Sequence, residues 1–179
     1  MRKELVIGCG SRILKDLYIG ESKEFEDVVT LDINADHKPD VVWDLRKHPL
    51  PFRDNEFDEI HAYEVLEHLA YQGDYEFFFR EFSEYWRILK PRGHFFASVP
   101  KEGTTWMYGD PSHKRVIPIS NLAFLSQNFY NQVGTTTASD FRYIYKADFK
   151  VVHTEYKNNV FSFTLEKVTN ENTSTPTDV

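Results

Sequence analysis

The sequence predicts an α/β protein built on a doubly wound, mostly parallel sheet. Three observations carry that reading. Short β-branched runs alternate with helical stretches along the chain. Two early runs end on an acid, at Asp32 and Asp44. The last two runs lie back to back around Lys157-Asn158-Asn159, where asparagine tolerates the left-handed backbone of a tight hairpin. Alternating strands and helices favour parallel pairing with crossovers, and a closing hairpin adds an antiparallel strand at the end.

The elements follow in order. Leu5 to Ile7 reads as a short buried strand, Asp27 to Asp32 as a second, Asp40 to Asp44 as a third and Phe57 to Ala62 as a fourth. A helix is predicted over about Tyr75 to Leu89, because Phe78, Phe82, Trp86 and Leu89 share one face. Lys90-Pro91-Arg92-Gly93 is expected to stop it, and His94 to Val99 forms the fifth strand. Ser120 is expected to cap a helix reaching about Asn131, followed by a loop over Gly134 to Ser139. Lys150 to Tyr156 and Val160 to Lys167 make the hairpin. Connections are thin before Asp27 and very short between the second and third strands, so the fold is pared down. One domain is expected over 1–169. A disordered tail is expected over 170–179, where large apolar residues are missing until the last position.

Composition narrows the function classes. The chain has 179 residues, enough for one packed core. It is 41% apolar and 27% charged, an ordinary globular balance. No apolar run approaches the roughly 18 residues that span a bilayer, and no signal peptide is expected after Arg2-Lys3. The one cysteine, Cys9, suits a reducing, cytoplasmic setting. A net charge of −7 argues against a general nucleic-acid binder, although Lys101, Lys114, Arg115 and Arg142 leave room for a local basic patch.

Gly8-Cys9-Gly10 follows the first strand directly. Alone, it reads equally as a tight structural turn or as a place where a ligand meets backbone. Asp32, ending the next strand, sits where an acid accepts from two ribose hydroxyls, which suits two cofactor classes. A dinucleotide turn wants glycine at position 13, and Ile13 stands there. S-adenosylmethionine has no pyrophosphate and asks only for close passage of the turn. Asp44, ending the third strand, can accept from an adenine amino group, with the Leu45 N–H donating to the ring.

With these pieces in place, the sequence resembles class I S-adenosylmethionine-dependent methyltransferases, in the small type 11-like subgroup. LVIGCGSR, VVTLDIN, DVVWDLRKHPLPFRDNEFDEI, HAYEVLEHL, RILKPRGHFFASVP and DPSHKR carry the resemblance. It implies a seven-stranded sheet with one antiparallel strand. It also implies that Gly8 and Gly10 face the methionine part, Asp32 holds the ribose, Ile33 packs on the adenine, Asp44 and Leu45 read the adenine edge, and Ala62 lies near the sulfonium. Cys9 is expected to be a small filler. The family's helix before the first strand has no room here, so the fold is a minimal one. The cofactor's lid then falls to other loops or to a partner subunit, and a homodimer is compatible.

Glu64-Val65-Leu66-Glu67-His68 follows the fourth strand. If a helix begins there, Glu64, Glu67 and His68 share one face, a half-site for a divalent cation that His113 completes. This is similar to metal-dependent O-methyltransferases, where magnesium or manganese lowers a hydroxyl pKa. V-L-E-H is also frequent in metal-free relatives. There Glu67 and His68 line the cleft, and His68, His113 or Glu64 serves as base. Lys114 and Arg115 are candidates to anchor an anionic acceptor, or a solvated pair. Trp106, Met107 and Tyr108 are candidates for an apolar wall. The expected reaction is methyl transfer to a small or terminal acceptor, at a hydroxyl oxygen. A non-catalytic S-adenosylmethionine or nucleotide-binding module is the rival reading.

Overall fold

A computed structural model of the chain describes residues 1–11, 13–20 and 23–169. The tail expected over 170–179 lies outside the described residues. Seven strands form one sheet: β1 (Lys3–Ile7), β2 (Asp27–Asp32), β3 (Val41–Val42), β4 (Phe57–Tyr63), β5 (Leu89–Pro100), β6 (Phe149–Lys157) and β7 (Val160–Lys167). Their spatial order is β3-β2-β1-β4-β5-β7-β6, with β7 alone running against its neighbours. The order reverses between β1 and β4. That reversal opens a crevice beyond their carboxyl ends.

One sheet face carries the core. Leu5 and Ile7 of β1, Ile60 and Ala62 of β4, Phe95 and Ala97 of β5, and Phe163 and Leu165 of β7 are fully buried there. Helix α1 (Tyr75–Ile88) packs over them, started by Asp74, whose Oδ1 accepts from the Phe77 N–H at 3.1 Å. Its buried face is wider than the predicted stripe. Phe77, Phe79, Glu81, Phe82, Tyr85 and Ile88 are buried, while Phe78 and Trp86 are only partly so.

The other face mixes polar side chains with buried Val6 and Phe96, because strands alternate sides residue by residue. Glu4, Glu59, His61 and Tyr63 point that way, under the irregular segment 13–19. Glu4 and Glu59 are direct cross-strand neighbours, a like-charge pair that is unfavourable by itself. Lys15 resolves it. Its ammonium lies between them, bonded to Glu4 and, at 2.8 Å, to Glu59 Oε2, and its side chain is 1% exposed. Segment 13–19 is tied once more where the Leu17 N–H donates to Tyr63 Oη at 3.1 Å.

Several boundaries differ from expectation, and β3 covers only Val41–Val42 where Asp40 to Asp44 was expected, so Asp44 lies past the strand end. β5 begins at Leu89, the residue after α1, so Lys90 to Gly93 belong to the strand. The predicted helix from Ser120 is two pieces, α3 (Ile119–Ala123) and a 3-10 turn over Gln127–Gln132. Pro118, with its fixed φ, takes the cap position, and Ser120 lies inside the helix. A short helix, α2 (Thr105–Gly109), precedes them. Asn158 and Asn159 both adopt positive φ, as the hairpin turn requires.

Candidate active site

A cleft of about 430 Å³ lies beyond β1, β2, β3 and β4. Gly8, Gly10, Asp32, Ile33, Asp44 and Leu45 all line it, together with Glu64 and His68. Lys114, a candidate anchor for an anionic acceptor, also lines it, and His37, Trp43, Arg46, Val65 and Leu69 complete the lining without having been expected from the sequence. Its size is within the usual range for cofactor pockets.

The two glycines serve different ends. Both have positive φ, 60° at Gly8 and 57° at Gly10. A Cβ on Gly8 would meet Val65 Cγ2 at 2.3 Å, so Gly8 lets the turn pack against the segment after β4. A Cβ on Gly10 would meet nothing within 4 Å, so its backbone faces open space.

Asp32 ties the turn to the second strand. Its Oδ2 accepts from the Gly10 N–H at 2.8 Å and its Oδ1 from the Asn34 N–H at 2.8 Å. His37 Nδ1 lies 3.4 Å from Oδ2. Burial alone would raise its pKa; the Asn34 and Gly10 donors and His37 outweigh burial and hold Asp32 below the usual carboxylate range. His37 arrives because Asn34 Oδ1 accepts from the Asp36 N–H and starts a 3-10 turn over Ala35–His37. That Asn-x-Asp start is the signal that could have found it. Asp44 reaches the cleft with its carboxylate gripped by Arg46, Nε to Oδ1 and Nη2 to Oδ2, each at 2.9 Å. Ile33 is 59% exposed at the rim, an apolar side chain with an open face.

Two expected site residues are corrected. Ala62 is fully buried between β1 and β5 and does not line the cleft; Glu64 and Val65 line this strand end instead. Glu64 does not join Glu67 and His68. It holds a φ of 52°, and the 3-10 turn begins only at Leu66, so the helical spacing never applies to it. The Glu64 carboxylate instead accepts from Ser98 Oγ at 2.8 Å and faces Trp106 Nε1 at 3.4 Å. Arg115 is also not available to a ligand as a solvated cation. It is 5% exposed and paired with Glu81. Of the expected apolar wall, Met107 is buried and Tyr108 is exposed, while Trp106 stands beside Glu64.

Glu67, His68 and His113 do converge, with one ligand atom of each within 4.8 Å of the others. His113 Nδ1 lies 2.9 Å from the Met107 carbonyl, which can only accept, so that nitrogen carries the proton. The Ser112 hydroxyl donates to Asp110 Oδ1 at 2.5 Å and is left to accept from His68 Nδ1 at 3.0 Å. Both Nε2 lone pairs therefore face Glu67 Oε1, at 3.9 Å from His68 and 3.8 Å from His113. Glu67 is 1% exposed, and neither carboxylate oxygen has a hydrogen-bond partner. Burial, with Glu64 adding like charge, pushes its pKa up to about 8. Asp110 Oδ2 also lies 3.9 Å from His113 Nε2, and the three converging acceptors, with no donor between them among the described residues, call for a proton or a cation at their centre.

Comparison with known proteins adds the family. The model described as "Methyltransferase domain" matches residues 5–97, just over half of the chain. A SAM-dependent methyltransferase from Archaeoglobus fulgidus superposes with a TM-score of 0.59 at 18% identity, over 93% of this chain and 86% of that one. An S-adenosylmethionine-dependent methyltransferase from Mesorhizobium loti gives 0.54 at 14%, over 93% and 91%. The N-methyltransferase NodS from Bradyrhizobium japonicum, in complex with S-adenosyl-L-homocysteine, gives 0.54 at 12%, over 93% and 78%. At these identities the structural likeness speaks for the fold. No protein of curated function matches the chain.

Proposed function

The chain belongs to the methyltransferase-domain family, and from that premise we propose that it moves the methyl group of S-adenosylmethionine onto a small or terminal acceptor, at a hydroxyl oxygen held beside Glu67, His68 and His113. The cofactor supplies a methyl group on a cationic sulfur, an electrophile that needs no covalent partner from the protein. The protein's part is placement. Asp32, fixed by Gly10 and Asn34, offers its remaining lone pairs to the ribose hydroxyls. Ile33 presents an apolar face to the adenine, whose edge meets Asp44 and Leu45. Gly10 leaves open space for the methionine part.

The observation that carries the acceptor reading is the ring of three acceptors. Imidazoles whose Nδ1 protons are already committed keep Nε2 free to take a hydroxyl proton. His68 is exposed enough to meet a substrate, while His113 is held deeper against Met107. The same donor set fits a divalent cation. One carboxylate and two imidazoles converge, and each imidazole's other nitrogen is bonded to an oxygen acceptor, as metal-bound histidines usually are. Glu67, His68 and His113 would hold it, and it would lower the pKa of a bound hydroxyl.

Transfer of a labelled methyl group across a panel of hydroxyl acceptors, with and without chelator, tests the reading. Loss of transfer in His113→Asn supports the cluster as the acceptor end. Loss on chelation, restored by manganese, assigns it to metal. Full activity in both His68→Asn and His113→Asn would move the chemistry elsewhere.

A further inference from the structure

One buried ion pair has no part in the proposed transfer chemistry. Glu81 is fully buried in the middle of the α1 face, among Phe77, Phe82 and Tyr85. Tyr85 Oη donates to its Oε1 at 2.9 Å, and Arg115 Nη2 donates to its Oε2 at 2.6 Å. A buried pair of this kind rarely stabilises a fold more than two apolar side chains of equal volume would. Core packing alone therefore gives no reason for charge here. What an apolar pair cannot supply is a directed donor. Arg115 Nε donates to the Leu66 carbonyl at 2.8 Å, one residue before Glu67.

The surrounding backbone makes the purpose legible. The Lys114 and Arg115 N–H groups both point at the Glu67 carbonyl, at 2.8 and 3.3 Å. The Gln72 N–H donates to the Lys114 carbonyl at 3.1 Å, and Gln72 Oε1 accepts from the Val116 N–H at 2.8 Å. Segments 66–72 and 113–116 are thus clasped face to face. The first carries Glu67 and His68 to the cleft, and the second carries His113. The Arg115 guanidinium bonds the first segment and anchors in α1 at the same time.

We propose that Arg115, anchored by Glu81 and Tyr85, is a positioning residue that sets Glu67 and His68 against His113. It acts through the Leu66 carbonyl and touches no substrate. The proposal deepens the acceptor-end reading above and rests on it for its meaning in catalysis.

The test uses the double variant Arg115→Met/Glu81→Met, which removes both charges and roughly keeps the volume. Arg115→Lys serves beside it, keeping the charge but not the planar fork that reaches two partners. Both are compared with the parent in metal-free buffer at one pH. The expected result is a folded protein with unchanged calorimetric affinity for S-adenosylhomocysteine. The imidazole 15N signals of His68 and His113 shift and broaden, and the Leu69 and Lys114 amides exchange about tenfold faster. Unchanged imidazole signals and unchanged protection, in either folded variant, overturn the proposal. These readouts need no acceptor. If they move while His68→Asn and His113→Asn keep full transfer, the positioning stands and the acceptor-end reading falls.

Discussion

At the scale of single residues, Gly8 and Gly10 separate packing from binding. Gly8→Ala forces a methyl group against Val65 in a left-handed backbone and should cost about 3 kcal/mol in chemical denaturation. Gly10→Ala meets no neighbour and should cost about 1 kcal/mol, yet weaken S-adenosylhomocysteine binding in calorimetry. Equal stability losses would remove that distinction. Glu67 makes a prediction with a sign. Its folded pKa of about 8 lies above the ordinary 4.5. Below 4.5 the carboxyl is protonated in both states. Between 4.5 and 8 the unfolded chain ionises and the folded one does not, so folding weakens as pH rises. Glu67→Gln escapes this. With chelator present, it should match the parent near pH 5 and exceed it by ~3 kcal/mol near pH 8. A constant difference between the two in thermal melts at those pH values would contradict a buried, proton-bearing Glu67. Asp32 and the glycines were legible because strand ends are where such folds bind ligands. Glu64 was not, because one left-handed residue, bonded to Ser98, turned it out of the helical spacing.

Among the elements, segment 13–19 has no helix to hold it and depends on its side chains. Lys15 is its buried pin, between Glu4 and Glu59. Lys15→Met leaves the two carboxylates opposed without the ammonium and should cost about 3–5 kcal/mol. Glu4→Leu/Lys15→Met/Glu59→Leu should recover most of that in the same denaturation assay. No recovery would mean the pin does more than cancel charge. The network was hidden in sequence, since Lys15 reads as one more surface lysine and Glu59 as the polar half of an alternating strand. The strands themselves were legible, because alternation and turn residues agree with the pairing. The helices after β5 were less so. Pro118 displaced Ser120 from the cap, and the following turn tightened to 3-10 geometry. Arg115 escaped for a related reason. Its partner Glu81 lies 34 residues away, on the part of the buried α1 face that falls outside the predicted apolar stripe.

Across the whole molecule, the sheet carries an apolar core on one side and a buried mixed layer with Glu4, Glu59 and Phe96 on the other, and its strand-order reversal places one cleft over Gly8, Gly10, Asp32 and Asp44. Every functional assignment depends on that cleft holding S-adenosylmethionine, with Asp32 as the fixed point between the turn and the second strand. Isothermal calorimetry with S-adenosylhomocysteine on the parent and on Asp32→Ala measures this directly. The account predicts one-site binding to the parent and at least about tenfold weaker binding to the variant, the loss of hydrogen bonds to a charged acceptor. Absence of binding to a folded parent, or equal binding to the two proteins, would contradict it.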